Sequence, residues 1–148
     1  MKVGYIQGQS LFVQKSEYVR KALQTEEIEI KNPNAVFQEN YIYGNIKEAK
    51  ECVDYIDVNY DDGYFLTIAA KNGDFEMLDI LIKKGADVNI SNESALRAAA
   101  RNGHKDCVEL LINNGADPKK LIGSSSYNNH GDIKDFLDKK ISLLDTKI

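Results

Sequence analysis

His104 and Cys107 are the residues of this sequence whose types and spacing could do chemistry. They stand three positions apart, so their side chains share one face if the segment is helical. An imidazole beside a thiol can form half of a metal site, or a nucleophile with its base. Which interpretation holds depends on the elements that position the two residues.

Two segments of the chain repeat each other at a shift of 30 residues, one from Tyr64 to Asn89 and one from Ser94 to Pro118. An alanine pair, an Asn-Gly dipeptide and a Gly-Ala-Asp tripeptide recur in register: Ala69-Ala70 with Ala99-Ala100, Gly73 with Gly103, and Gly85-Ala86-Asp87 with Gly115-Ala116-Asp117. A fixed period of this length is the sequence signature of a stacked repeat protein.

Each copy predicts two helices. The first helix carries small alanines, which let a neighbouring helix approach closely, and it ends at Asn72-Gly73 or Asn102-Gly103, where glycine adopts the left-handed conformation. A second helix with one apolar stripe follows, and it begins at Asp74 or His104. A polar residue at that position can bond the free backbone N–H groups of the helix start.

Fainter copies flank these two and extend the array to about four units, with bounds near 34–59, 60–89, 90–118 and 119–144. Atypical sequence is expected in terminal units, because each has one neighbour instead of two. In the last unit Gly131-Asp132 aligns with Gly103-His104. This alignment puts His130 at the position of Asn102.

The combination resembles the ankyrin repeat family over about residues 34–141, carried by the "AAxNG" turn, the amphipathic second helix and "GADVN" (Gly85–Asn89). The resemblance implies an all-α solenoid of about four helix-turn-helix repeats in a domain spanning 34–148. The period of 30 is shorter than the usual 33 of the family, and its Thr-Pro-Leu-His motif is absent. The turns between repeats should therefore be short. Units of this length also resemble those of large DNA viruses.

Residues 1–33 lie outside the repeats. Alternating patterns predict short strands at 2–6 and 27–30, and a helix is predicted at 16–23. We therefore expect a small N-terminal α/β or helical cap.

The repeat alignment favours a structural role for the reactive-looking pair. Cys107 takes the position of Met77 on the apolar stripe, and Cys52 takes that of Leu81. Two repeats separate the cysteines, which places them about 20 Å apart, whereas a disulfide needs Cα atoms within about 7 Å. No set of metal ligands accompanies His104. We expect no enzyme activity, no metal and no cofactor.

The net charge and the amino-acid composition limit the kinds of partner and the location that we expect for the protein. A formal net charge of −4 disfavours nucleic acid and anionic membranes. No run of apolar residues reaches membrane-spanning length, and two cysteines are too few for a disulfide scaffold. The expected location is the cytoplasm, of the host cell if the viral resemblance holds.

The resemblance implies a protein-binding module without catalysis, whose concave face docks a partner protein. It would act as an inhibitor, a sequestering factor or an adaptor, against a host or defence factor if the protein is viral. The alternative is a homo-oligomeric scaffold, such as a homodimer, assembled through the degenerate end repeats. Turn residues and exposed first-helix positions form the predicted binding set: Gln38, Tyr41, Tyr60, Asp61, Asp62, Tyr64, Thr67, Lys71, Asn92, Glu93, Arg97 and Arg101.

Overall fold

The computed structural model describes residues 32–124 and 130–146, which form helices and turns throughout. Contacts divide the chain after Asp57 into two compact units. The first unit contains α1 (Pro33–Ile42) and α2 (Ile46–Cys52), followed by the 3-10 turn Val53–Tyr55. The second contains α3 (Tyr60–Asn72), α4 (Phe75–Lys83), α5 (Ile90–Arg101), α6 (Lys105–Asn113) and α7 (Gly131–Asp145), with the 3-10 turn Pro118–Leu121 before α7.

The predicted all-α repeat architecture is confirmed. The predicted N-terminal cap, residues 1–33, lies outside the described residues except for its last two. Among the described helices, none is both long and apolar enough to cross a membrane.

In the first unit, Asn32 caps the start of α1, where its side chain accepts a hydrogen bond from the Asn34 amide at 3.0 Å. Asn40 replaces one of the small alanines of the later repeats and is buried. Its amide donates to the Val36 carbonyl at 2.9 Å, and its oxygen accepts from Asn45 at 3.2 Å. The polar residue is tolerated there because its bonds are made inside the unit.

In the second unit, α3 with α4 and α5 with α6 form two successive helix pairs. Gly73 and Gly103 follow the first helix of each pair with φ of 71° and 78°, as the period predicts. The buried side chains recur at the same 30-residue shift: Leu66, Ala69, Ala70, Met77, Leu78 and Leu81 in one pair, and Leu96, Ala99, Ala100, Cys107, Val108 and Leu111 in the next. Small alanines at the contact of α3 with α5 allow the close approach expected from the sequence.

Short left-handed turns replace long loops at the start of α3 and α5. Asp61, Asp62 and Gly63 have φ of 48°, 53° and 77°. The equivalent residues Ser91, Asn92 and Glu93 have φ of 51°, 55° and 60°. A non-glycine residue in this conformation costs roughly 1–2 kcal/mol. Packing between repeats must therefore hold these turns in place.

The last repeat is shorter than the alignment of Gly131 with Gly103 predicts. His130, not Asp132, precedes α7 at the position equivalent to His104. Each of the two rings lies against the glycine of the preceding pair, His104 against Gly73 and His130 against Gly103. The placement of His130 at the Asn102 position is therefore wrong, because the last unit contains fewer residues before its second helix.

Candidate functional site

The two cysteines are free and buried, and burial suppresses their reactivity. Burial raises the pKa of the Cys107 thiol to about 11, with smaller contributions from Asp106 and Asp74. The pKa of Cys52 is also raised to about 11 by burial, and then by Glu51 and Glu48. A thiol with such a pKa stays protonated at neutral pH and is a poor nucleophile.

Both thiols are therefore expected to resist alkylation in the folded protein at neutral pH, because the thiolate is the reacting species. Iodoacetamide labelling followed by intact-mass measurement should show little modification in native buffer and both cysteines modified in concentrated guanidinium chloride. Labelling of the folded chain should accelerate as the pH rises towards 11. Rapid native labelling at neutral pH would contradict the burial of the labelled sulfur.

The two imidazoles connect adjacent repeats. His104 Nε2 lies 2.9 Å from the Lys71 carbonyl oxygen, and His130 Nε2 lies 3.1 Å from that of Arg101. A carbonyl oxygen only accepts, so each Nε2 carries the proton and donates. The predicted capping bond from His104 to its own helix is absent, unlike that of Asp74, which accepts from the Met77 amide at 3.0 Å. The described residues contain no group of three or more His, Cys, Asp or Glu placed to hold a metal.

The predicted binding residues fall into three classes of exposure. Six are exposed: Tyr60, Asp61, Asp62, Lys71, Asn92 and Arg101. Four are half-buried: Gln38, Tyr64, Thr67 and Arg97. Tyr41 and Glu93 are buried, contrary to expectation.

Tyr41 is buried because its ring stacks on that of Phe37, one helical turn earlier on α1, at 5.7 Å between ring centroids. It is 6% exposed, so it offers little surface to a partner. Tyr41 and Gln38 both belong to the first unit, whereas the other ten predicted residues belong to the second.

Glu93 is 1% exposed because its side chain bonds to residues around the start of the 3-10 turn Pro118–Leu121. Its Oε1 accepts from the Asp117 amide at 3.0 Å and lies 3.5 Å from Lys120 Nζ. The Asn89 amide, oriented with its nitrogen towards Glu93, also donates to this oxygen at 3.2 Å. The other carboxylate oxygen, Oε2, is buried without a hydrogen-bond partner.

Two half-buried members of the predicted set bond across repeats. The Thr67 and Ser94 hydroxyls share a hydrogen bond of 2.6 Å. Arg97 donates from Nη2 to the Lys120 carbonyl of the next repeat at 2.8 Å, and from Nε to the Asn92 carbonyl of its own repeat at 3.1 Å. These polar side chains therefore hold adjacent repeats in register.

The remaining residues of the second unit define a candidate surface, which we call the turn-and-helix surface: Tyr60, Asp61, Asp62, Tyr64, Lys71, Asn92 and Arg101. Both tyrosines pack on the buried Phe65 ring, with centroid distances of 5.8 Å. The Ser91 hydroxyl donates to the Asp62 carbonyl at 3.1 Å and joins the two left-handed turns. Sequence reasoning missed this serine, although it lies 30 residues after Asp61.

Charge is distributed unevenly over the turn-and-helix surface. Asp61 and Asp62 lie at the turn, whereas Lys71 and Arg101 lie in the last turns of α3 and α5. At a rise of 1.5 Å per residue, the body of α3 separates these ends by about 12 Å. The surface is therefore anionic at one end and cationic at the other, with the tyrosines at its anionic end.

Two grooves on the second unit lie away from the predicted residues. One, of about 430 Å³, is lined by residues of α6, α7 and the segment that joins α6 to the 3-10 turn. The other, of about 350 Å³, is lined by Phe75, Asp106, Glu109, Leu110 and Asn113. Neither groove includes a residue of the turn-and-helix surface.

Comparison with known families gives one result. The sequence profile of the family described as "Ankyrin repeats (3 copies)" matches residues 35–121, more than half of the chain. No curated protein and no solved structure matches the chain significantly.

Proposed function

Since the chain belongs to the ankyrin repeat family, whose repeats generally mediate protein–protein interaction, we propose that it is a non-catalytic module that binds a partner protein through the turn-and-helix surface. The observation that carries the proposal is the joint exposure of Tyr60, Lys71 and Arg101 on two bonded repeats. Tyrosine and arginine are enriched among the residues that dominate binding energy.

Rigidity of the two repeats supports this role. The Thr67–Ser94 and Ser91–Asp62 bonds hold the turns of α3 and α5 together before any partner arrives. A preformed surface binds more tightly than a flexible one, because less conformational entropy is lost on association. Gln38, in the first unit, remains a proposed contact, whereas the buried Tyr41 and Glu93 do not.

The partner we propose is a protein and not a nucleic acid, because a chain with a net charge of −4 repels a polyanion. Binding would block, sequester or bridge that protein, so the chain would act as an inhibitor, a sequestering factor or an adaptor. Two free thiols suit a reducing compartment, which favours the cytoplasm. Self-association is a second candidate function, favoured by apolar side chains exposed in the last unit.

Substitution of Tyr60, Tyr64 and Arg101 by alanine together is expected to abolish partner capture. The measurement is quantitative affinity purification with the tagged full chain from its native cells, followed by mass spectrometry. Phe75→Ala is the matched control, since Phe75 is an exposed aromatic residue outside the surface. Proteins captured by the wild type and by Phe75→Ala, but not by the triple variant, would be the partners.

The tyrosines also pack on Phe65, so their loss is expected to cost some stability as well. Charge reversal at Lys71 and Arg101 avoids this difficulty, because both side chains are exposed and both residues lie in the last turn of a helix. It too is expected to abolish capture while leaving the helical circular dichroism spectrum and the melting temperature near those of the wild type. Unchanged capture by both folded variants would place the binding site elsewhere.

A further inference from the structure

Unpaired charges lie at both ends of the turn-and-helix surface. Other charged side chains of the second unit form ion pairs with carboxylates, among them Lys83, Lys105, Lys119, Lys120 and Lys134. Lys71 and Arg101 are exposed and pair with no carboxylate within the described residues. The exposed carboxylates of Asp61 and Asp62 also form no hydrogen bond or ion pair there. All four charges are therefore available to a partner.

The two cations occupy equivalent positions of adjacent repeats. Lys71 lies in the last turn of α3, and Arg101 lies in the last turn of α5. Packed helices lie about 8–10 Å apart, so the two side chains extend from neighbouring helix ends. The His104 ring bonds the Lys71 carbonyl at 2.9 Å and holds this end of α3 against the next repeat. A carboxylate accepts hydrogen bonds from ammonium and guanidinium groups, so this end fits a carboxylate side chain.

The opposite end combines carboxylates with an aromatic ring. Asp61 and Asp62 lie in the left-handed turn that follows Tyr60. The Tyr60 ring is 41% exposed and stacks on the buried Phe65 ring, with 5.8 Å between centroids. A guanidinium group stacks on aromatic rings and bonds carboxylates through its planar fork of donors. This end therefore fits an arginine side chain.

Apolar side chains lie between the two ends. Ile68 follows Tyr64 by four positions and precedes Lys71 by three, so the three residues share one face of α3. Ala98 has the equivalent place on α5, three positions before Arg101. Both apolar side chains are half-buried. A segment that lies along the two helices therefore meets a charge at each end and apolar side chains in the middle.

Other charges at the turn end offset one another. Arg97 donates to two backbone carbonyls, and the exposed carboxylate of Asp87 offsets its charge. Lys120 pairs with the buried Glu93. Lys84 follows the second helix α4, so it lies outside the face formed by α3 and α5. The turn end therefore keeps the negative charge of its two unpaired aspartates.

The carboxylates that follow the unpaired cations in sequence belong to the second helices. Asp74 precedes α4 and caps it by accepting from the Met77 amide at 3.0 Å. Three more carboxylates lie in the first turns of α4, α6 and α7, namely those of Glu76, Asp106 and Asp132. The second helices pack about 8–10 Å from the first, so these carboxylates do not neutralise the cations of the first-helix face.

We propose that the partner docks a segment whose arginine and carboxylate side chains lie about 12 Å apart, the separation of the two charged ends along α3. The arginine stacks on Tyr60 and bonds the two aspartates, and the carboxylate bonds Lys71 and Arg101. An apolar side chain between them covers Ile68 and Ala98. About eight positions of a helix, or about four of an extended segment, span this distance. This partner chemistry rests on the proposed function, because it applies to the same surface.

Synthetic peptides of one composition test the proposal. Segregated peptides carry an arginine pair at one end and a glutamate pair at the other, with leucine between, in a helical and in an extended version. Mixed peptides alternate the same residues. Amide chemical shifts of the isotope-labelled full chain should give a Kd on the order of 1 mM for a segregated peptide and about tenfold weaker binding for its mixed counterpart. Equal binding of segregated and mixed peptides overturns the proposal.

Neutralisation of the cations should weaken binding of the segregated peptide by about tenfold, as measured by the same titration of Lys71→Gln with Arg101→Gln. Lys139→Gln with Lys140→Gln is the matched control, since it removes the same charge from α7 and should bind like the wild type. Charge reversal in Lys71→Glu with Arg101→Glu should change the preference to a peptide with arginine pairs at both ends. Equal losses in the variant and its control would assign the effect to net charge and contradict the proposed contact.

Neutralisation of the aspartates tests the other end. Asp61→Asn with Asp62→Asn should also bind the segregated peptide about tenfold more weakly. Asparagine adopts the left-handed conformation, so the turn keeps its shape. Asp132→Asn with Asp135→Asn, at exposed positions of α7, is the matched control and should bind like the wild type. Wild-type binding by the Asp61, Asp62 variant would show that no arginine docks at this end.

Affinity purification separates failure of this partner chemistry from failure of the proposed function. A partner that Lys71→Glu with Arg101→Glu fails to capture, while no segregated peptide binds the wild type or competes with that partner, would leave the surface in place and overturn the partner chemistry alone. Unchanged capture by that variant, together with the absence of peptide binding, would overturn both.

Discussion

Replacement of Gly103 by alanine is expected to lower the free energy of unfolding by about 2–5 kcal/mol, from two additive effects. The backbone there has φ of 78°, where alanine costs roughly 1–2 kcal/mol. A Cβ atom would also lie 2.8 Å from His130 Cε1, and such overpacking costs about 1–3 kcal/mol. Denaturant unfolding followed by circular dichroism measures the change. Gly103→Val should be worse, because a β-branched residue resists positive φ.

Gly115 provides the matched control. It has φ of 104°, but a Cβ atom there would meet no other side chain or backbone within 4 Å. Gly115→Ala should therefore cost only the conformational part, roughly 1–2 kcal/mol. His130→Ala introduced into the Gly103→Ala background should recover part of the loss, because the ring that meets the new methyl group is then gone. Equal losses at Gly103 and Gly115, with no recovery, would show that the ring does not restrict this position.

Most of the repeat architecture was predictable because it depends on local, periodic requirements. Many helices end at a residue with positive φ, which is usually glycine, so Gly73 and Gly103 mark helix ends in the sequence. Close helix packing needs small residues, so the alanine pairs are visible too. The burial of Cys107 follows from its place on the apolar stripe. Each of these features repeats at a fixed shift, and the repetition made them identifiable.

The last unit departs from that regularity, and its histidine was misplaced for that reason. Aligning Gly131 with Gly103 assumes that the number of residues per repeat is constant. The structure instead aligns His130 with His104, because both rings reach back to a carbonyl of the preceding repeat. A contact between repeats, and not the local sequence, determines this register.

The candidate surface was only partly predictable, because exposure was inferred from residue type: a charged or aromatic side chain was expected to be exposed. That rule holds for Lys71 and Arg101, at the ends of helices. It fails for Tyr41, where an aromatic neighbour one turn away provides a stacking partner. It also fails for Glu93, since a left-handed backbone redirects the side chain and the groups it meets lie 24 and 27 positions later. Neither effect is visible in residue type.

Glu93→Ala is expected to destabilise the protein by about 1–3 kcal/mol, the cost of leaving a partly buried donor without its acceptor. The donor is the Asp117 amide, which bonds Glu93 Oε1 at 3.0 Å, and the ion pair with Lys120 is lost as well. The loss of stability should be largest where the last repeat joins the repeat before it. Hydrogen exchange measured by mass spectrometry should therefore show a larger increase in exchange rate, relative to the wild type, in α7 than in α3. The unfolding midpoint should also be lower than that of the wild type.

Glu93→Gln separates the hydrogen bond from the charge. Glutamine retains an acceptor for the Asp117 amide but removes the buried charge, one oxygen of which has no hydrogen-bond partner. The Lys120 side chain is 43% exposed, so its ammonium group stays solvated when Glu93 loses its charge. We expect Glu93→Gln to stay within about 1 kcal/mol of the wild type, because it keeps the bond whose loss is costly. A loss as large as that of Glu93→Ala would instead assign the stabilisation to the ion pair with Lys120, since both variants remove it and only one removes the acceptor.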